Sequence, residues 1–191
     1  MQRLREIGDG AYLVAIRTAG SQQRDAARTH IRYAAREALA QVLGIAIEQI
    51  QVRSTPGEPP ALVWSAADSL QERVVCCSFS HDDGLSLAAF NLRGAVGVDV
   101  IRVVDIPDWE RVAQDYLGRA ATEKLRAASP AERPHAFAQA WAEHEARLKC
   151  LGLQLAEWET LPPAARDGGL RMLALELPEN LVGALAFSPT V

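Results

Sequence analysis

Apolar and polar residues alternate over short runs in the first half of the chain, whereas the second half is dominated by helical spacing. The run from Ala11 to Ile16 predicts a strand over 11–17, and the pattern from 24 to 43, stopped by Gly44, predicts a helix. Short strands follow near 49–53, 61–65, 74–80, 84–91 and 95–101, divided by the turn signals Pro56-Gly57 and Asp82-Asp83-Gly84. Two helical stretches, 108–128 and 134–151, are broken by Ser129-Pro130, and strands near 170–177 and 181–187 flank Pro178. This order is α+β. The segment Leu85-Ser86-Leu87-Ala88-Ala89-Phe90 is weakly echoed by Val182-Gly183-Ala184-Leu185-Ala186-Phe187, a hint of two related halves.

With 191 residues, 49% of them hydrophobic, the chain can bury one substantial core or two small ones. The longest apolar stretch near the start, Ala11 to Ile16, is far too short for a membrane span, and Arg3, Arg5 and Glu6 precede it without the apolar h-region of a signal peptide. A cytoplasmic protein is therefore expected. Cys76, Cys77 and Cys150 are odd in number and two are adjacent, which excludes a disulfide framework and reads as reduced core thiols. The net charge of −4 argues against general nucleic-acid binding. A local basic face remains, because Arg24, Arg28, Arg32 and Arg36 recur every four residues along the first helix. It reads equally as a solvated helix face or as a site for an anionic partner.

Two carboxylates occupy apolar surroundings. Asp99 interrupts the run Ala95-Val96-Gly97-Val98-Asp99-Val100-Ile101, and Glu145 falls in the helical stripe marked by Phe137, Trp141, Leu148 and Leu151. Removing a charge from water costs several kcal/mol unless a partner or metal neutralises it, so two such positions point to a shared cation. The bland alternatives are an i,i+4 pair between Glu145 and Lys149, and an Asp99 that caps backbone amides at a strand end.

The segments Phe79-Ser80-His81, Gly97-Val98-Asp99-Val100 and Trp141-x-x-His144-Glu145-Ala146-x-x-Lys149-x-x-Gly152 have the order and spacing of a known family. In these the chain resembles the 4′-phosphopantetheinyl transferases of the surfactin-synthetase-activating type. The resemblance takes in Pro56-Gly57-Glu58-Pro59, the helix around Arg32 and the ending Asn180-Leu181-Val182-Gly183-Ala184-Leu185-Ala186, hence most of the chain. It implies two pseudo-symmetric α+β halves, each a small antiparallel sheet packed with helices. Here these would be residues 1–102 and 103–191, in one compact unit with the site at their interface. It further implies a magnesium-dependent transfer of the phosphopantetheine arm of coenzyme A to a serine of an apo acyl or peptidyl carrier protein, with release of adenosine 3′,5′-bisphosphate. Fatty-acid, polyketide or peptide biosynthesis would be the setting. By motif, Asp99 and Glu145 resemble the metal ligands, with a carboxylate taking the serine proton, and Lys149 resembles the lysine at the phosphates. Ser80, His81 and Arg32 would contact the coenzyme, the last two at its 3′-phosphate. A monomer without nucleic-acid or membrane partners is expected.

The chain departs from the family pattern at Ile101, where many members carry a second acid, at His144, where they carry lysine, and at Glu58, where they carry Gly-Lys-Pro. Asp82, just after His81, is the preferred third metal carboxylate, with a hairpin-turn role as its equal alternative. His144 is expected either to keep a donor near the phosphates or to face solvent, and Arg53 or the arginine ladder to offset Glu58. A degenerate relative that binds coenzyme A or a carrier without turnover is the competing function. A thiol redox role for Cys76 and Cys77 is discounted, since neither has a basic or helix-start neighbour to lower its pKa.

Overall fold

The computed structural model describes residues 3–17, 24–65, 71–82, 84–166, 169–178 and 180–189. Strands β1 (Arg3–Gly8), β2 (Ala11–Arg17), β3 (Gln51–Arg53), β4 (Ala61–Ser65), β5 (Glu72–Asp82) and β6 (Leu85–Asn91) form one antiparallel sheet in the order β1-β2-β6-β5-β4-β3. A second antiparallel sheet, ordered β7-β9-β8, contains β7 (Val96–Arg102), β8 (Arg171–Leu175) and β9 (Leu181–Phe187). The fold is α+β, as the pattern predicts. The echoed segments lie in β6 and β9, each of which has a strand on both sides, so their near-continuous apolar character follows from burial on both faces. Although β7 falls within residues 1–102, its backbone pairs with β9, with Asp99 opposite Ala184.

Four layers result. Helix α1 (Arg24–Leu43) presents Ile31, Ala34, Ala35, Ala38 and Leu39 at helical spacing and packs them on Val14, Leu62, Val75, Cys77, Ala88 and Phe90 of the larger sheet. The opposite face of that sheet, through Leu13, Leu85, Leu87 and Ala89, meets Val96, Val98, Val100 and Leu185 of the smaller one. Beyond the smaller sheet lies α4 (Arg133–Leu151), whose Ala138, Ala142, Ala146 and Cys150 rest on Val182, Ala184 and Ala186. The small side chains bring helix and strand very close. A Cβ at Gly97 would stand 2.0 Å from the Ala146 carbonyl oxygen and 2.4 Å from the Cys150 nitrogen, so only glycine fits there.

Three features differ from the pattern-based expectation. Strand β1 is present although Arg3, Arg5 and Glu6 leave it little apolar signal, because an outermost strand needs only one buried neighbour and gains from charges on its open side. The helix expected over 108–128 is interrupted: α2 (Trp109–Val112) runs into a π-helical turn and then α3 (Gly118–Ala127). Gly118 has φ 79° and passes so near Trp158 that a Cβ would lie 2.6 Å from its indole ring. Finally, Cys76 is exposed, because residues 75 and 77 turn toward α1, so it is not a core thiol like Cys77 and Cys150. No described helix is long and apolar enough to cross a membrane. Asp83 and the side chain of Arg24, read above as turn and ladder residues, lie outside the description.

Candidate active site

The two sheets are joined by a comb of side chains. On β5, residues 78, 80 and 82 share one face because strand residues alternate. Ser78 Oγ accepts the Val98 N–H at 3.1 Å, Ser80 Oγ accepts the Val100 N–H at 3.2 Å, and Asp82 Oδ2 accepts the Arg102 N–H at 2.7 Å. The matching two-residue steps on β7 are the amides that point away from β9. Ser80 also donates its hydroxyl to Asp99 Oδ1 at 2.8 Å.

Asp99 is 7% exposed and belongs to the face of β7 that looks at α4. Lys149 reaches it from the last turn of that helix, with Nζ 2.6 Å from Asp99 Oδ1 and 3.3 Å from the Val98 carbonyl. The lysine thus pairs across to the strand, and among the described residues no Glu145–Lys149 pair within 4.0 Å accompanies it. The i,i+4 helix pair is therefore not what holds Glu145 in place. Glu145 is half-buried, at the boundary between the alanine face of α4 and the Phe137–Trp141 side that packs on α2 and α3. Burial pushes its carboxyl above the ordinary range, the Asp99 charge adds to the rise, and Lys149 opposes it. Asp99, Glu145 and Lys149 consequently form one electrostatic unit.

A cavity of about 210 Å³ opens beside Lys149, lined by Gly57, Glu58, Pro59, Cys77, Phe79 and Leu153 among others. The turn at Gly57 and the end of α4 meet there, and a Cβ at Gly152 would lie 3.0 Å from Pro59 Cγ. Glu58 lines this cavity, so the charge departure read in the sequence falls beside the lysine. Arg53 forms an ion pair with Glu72 instead of offsetting Glu58.

The arginine ladder divides. Arg36 is structural, its guanidinium donating to the carbonyls of Ile50 at 2.6 Å and Ile47 at 2.9 Å. Arg28 lies 3.8 Å from Asp25, while exposed Arg32 donates to Ser54 Oγ at 3.3 Å and is near enough to Cys77 to favour its thiolate against burial. Burial wins at both buried cysteines, pushing Cys77 up strongly and Cys150 to about 12. His81 is exposed on β5 opposite Ser86, on the strand face opposite to that of Ser80 and Asp82.

Asp82 lies on β5 and His144 on α4. Asp82 accepts the Arg102 amide through Oδ2, and among the described residues no group of three or more His, Cys, Asp or Glu side chains is placed to hold a metal. His144 is 5% exposed and does not face solvent. One residue before Glu145, it points about 100° around the helix axis. Its ring sits 6.4 Å from Trp141 and 6.1 Å from Trp158, and burial, with Arg147 adding, lowers its pKa to about 4.

The chain from β7 to the beginning of β8, residues 95–172, matches the model of the 4′-phosphopantetheinyl transferase superfamily. That segment carries Asp99, Glu145 and Lys149, and the match supports a transferase concerned with phosphopantetheine. No curated protein matches the chain.

Proposed function

We propose that the protein moves the 4′-phosphopantetheine arm of coenzyme A onto a serine hydroxyl of an apo carrier protein and releases adenosine 3′,5′-bisphosphate. The superfamily matched over residues 95–172 acts on coenzyme A and carrier proteins. The observation that carries the reading is the meeting of Asp99, Glu145 and Lys149 between β7 and α4, with Lys149 also lining the cavity formed by β5, the Gly57 turn and the end of α4. A divalent cation fits this donor set. Asp99 and Glu145 offer hard oxygen ligands, their like charges repel, and Lys149 neutralises only one of them. Magnesium is ordinarily held by one or two carboxylates together with substrate phosphates, so a third protein carboxylate is not required.

In the reaction, the carrier serine oxygen attacks the pyrophosphate phosphorus that bears the pantetheine arm, and the bond to the bridging oxygen breaks. Glu145 accepts the serine proton, a role suited to a carboxylate whose pKa is raised. Lys149 stabilises negative charge as it grows on the phosphate oxygens, and Ser80 holds the Asp99 carboxylate in orientation. When bound, Mg²⁺ supplies further neutralisation of the pyrophosphate at Asp99 and Glu145. Arg32 is assigned to the 3′-phosphate of the coenzyme, with His81 as its companion.

A second reading is favoured by Glu58, whose negative charge lines the cavity beside Lys149. It is a relative that binds coenzyme A or a carrier without turnover. Incubation with Mg²⁺, coenzyme A and a panel of apo carrier proteins, followed by intact-mass measurement, separates the two. A gain of one phosphopantetheine arm, abolished by chelator, supports transfer; measurable coenzyme A binding with no modified carrier supports the second reading.

A further inference from the structure

A second cavity lies behind α4, on the side turned from Asp99. Glu143, His144 and Arg147 recur there at helical spacing, facing α3, Trp158 and the short helix α5 (Pro163–Arg166). Its volume is about 620 Å³, the size of a small-molecule site, and none of its lining residues is shared with the cavity beside Lys149. Leu117, Leu125 and Trp158 contribute an apolar wall.

The polar part of the lining is unbalanced. His144 Nε2, Arg147 Nη1 and Arg166 Nε are all buried, and none has a hydrogen-bond partner among the described residues. They come from separate turns of α4 and from α5, yet converge on one space. Lys124 adds a third positive side chain, against Glu143 as the single acid of the lining. Glu143 accepts the Gln139 amide at 3.0 Å and makes no ion pair with Arg147 within 4.0 Å. Arg166 has only a long contact, 3.9 Å, with a Glu159 that is 88% exposed. Both arginines are only partly buried and Arg166 keeps its long contact with Glu159, but each holds one N–H out of water without an acceptor, and an oxyanion would satisfy several such donors at once.

We propose that this cavity binds a small molecule consisting of an apolar chain or ring that ends in an oxyanion, with the anionic oxygens accepting from His144, Arg147 and Arg166 and the apolar body against Leu117, Leu125 and Trp158. Carboxylate and phosphate share this chemistry, and the guanidinium fork suits both. The site is independent of the reaction proposed above, since it uses none of that reaction's residues.

Calorimetric titration of the full chain with octanoate, octyl phosphate, 1-octanol and inorganic phosphate tests it. Saturable one-to-one binding is expected for octanoate or octyl phosphate, with the stronger of the two identifying the head group. 1-Octanol should bind at least about tenfold more weakly, because it leaves the donors without a charged acceptor. Arg147→Gln and Arg166→Gln should each weaken the anionic probe about tenfold, whereas Lys149→Met should leave its affinity unchanged. Equal affinity for octanoate and octanol overturns the proposal, as does the absence of saturation by either anionic probe. Loss of binding in Lys149→Met also overturns it, since the probe would then occupy the other cavity. The comparison between octanoate and octanol uses only the unmodified protein, so it decides even where an arginine variant does not fold.

Discussion

Ser80 binds both Asp99 and the residue after it: its hydroxyl donates to Asp99 Oδ1 at 2.8 Å, and its oxygen accepts the amide of Val100 at 3.2 Å. One serine on β5 therefore fixes both the backbone and the carboxylate of the site on β7. Ser80→Ala should lower stability by about 1–3 kcal/mol, because the buried Val100 amide loses its acceptor. In transfer assays kcat should fall about tenfold, with little change in KM for coenzyme A. A raised KM at unchanged kcat would instead place Ser80 in direct contact with the coenzyme.

Glu145→Gln should separate catalysis from stability. Loss of the proton acceptor should reduce kcat by about 10²-fold or more with the fold preserved. Burial and Asp99 raise the Glu145 pKa in the folded chain, so the protonated form is the one that favours folding. That contribution is complete below the unfolded-state pKa and is lost as pH rises through the folded one. Thermal unfolding in chelator should accordingly show Glu145→Gln with a higher Tm than the parent at pH 7, and the advantage should vanish near pH 4. Equal Tm values at both pH values would show that Glu145 is solvated.

Gly97→Ala tests the contact between strand and helix. With 2.0 Å between the new Cβ and the Ala146 carbonyl oxygen, the backbone must move, and a loss of about 3 kcal/mol or more is expected in denaturant unfolding. The same displacement carries Lys149 away from Asp99, so residual transfer should fall further than stability alone explains. A variant as stable as the parent would refute the close approach.

Arg32→Ala should weaken coenzyme A about tenfold, as for one charge-assisted hydrogen bond, while leaving 3′-dephospho-coenzyme A nearly unaffected. Equal losses for the two ligands would return Arg32 to a purely solvated helix face.

Asp99 and Glu145 are legible in the sequence because each sets a charge among apolar neighbours, and their spacing from Gly97 and Lys149 adds a motif. Local pattern does not reveal which partner Lys149 takes. The i,i+4 spacing points to Glu145, but the Gly97 approach puts Asp99 in hydrogen-bonding range, a relation formed only when β7 packs on α4. Sequence pattern leaves His144 either near the phosphates or in solvent, whereas its burial between Trp141 and Trp158 follows from a loop that returns Trp158 to α4. Asp82 illustrates the same limit. Its turn chemistry is visible along the chain, whereas the Arg102 amide it accepts lies on another strand.

The comb of Ser78, Ser80 and Asp82 has a consequence beyond holding the carboxylate. The outer amides of β7 at Val98, Val100 and Arg102 would otherwise form a row of open donors along the boundary of a three-stranded sheet, a template on which a foreign strand can grow. Side-chain oxygens occupy that row, so β7 is closed to recruitment while its opposite face stays available to the site. Stripping the comb would expose a self-associating border, and the resulting loss of solubility would appear as light scattering that grows with protein concentration.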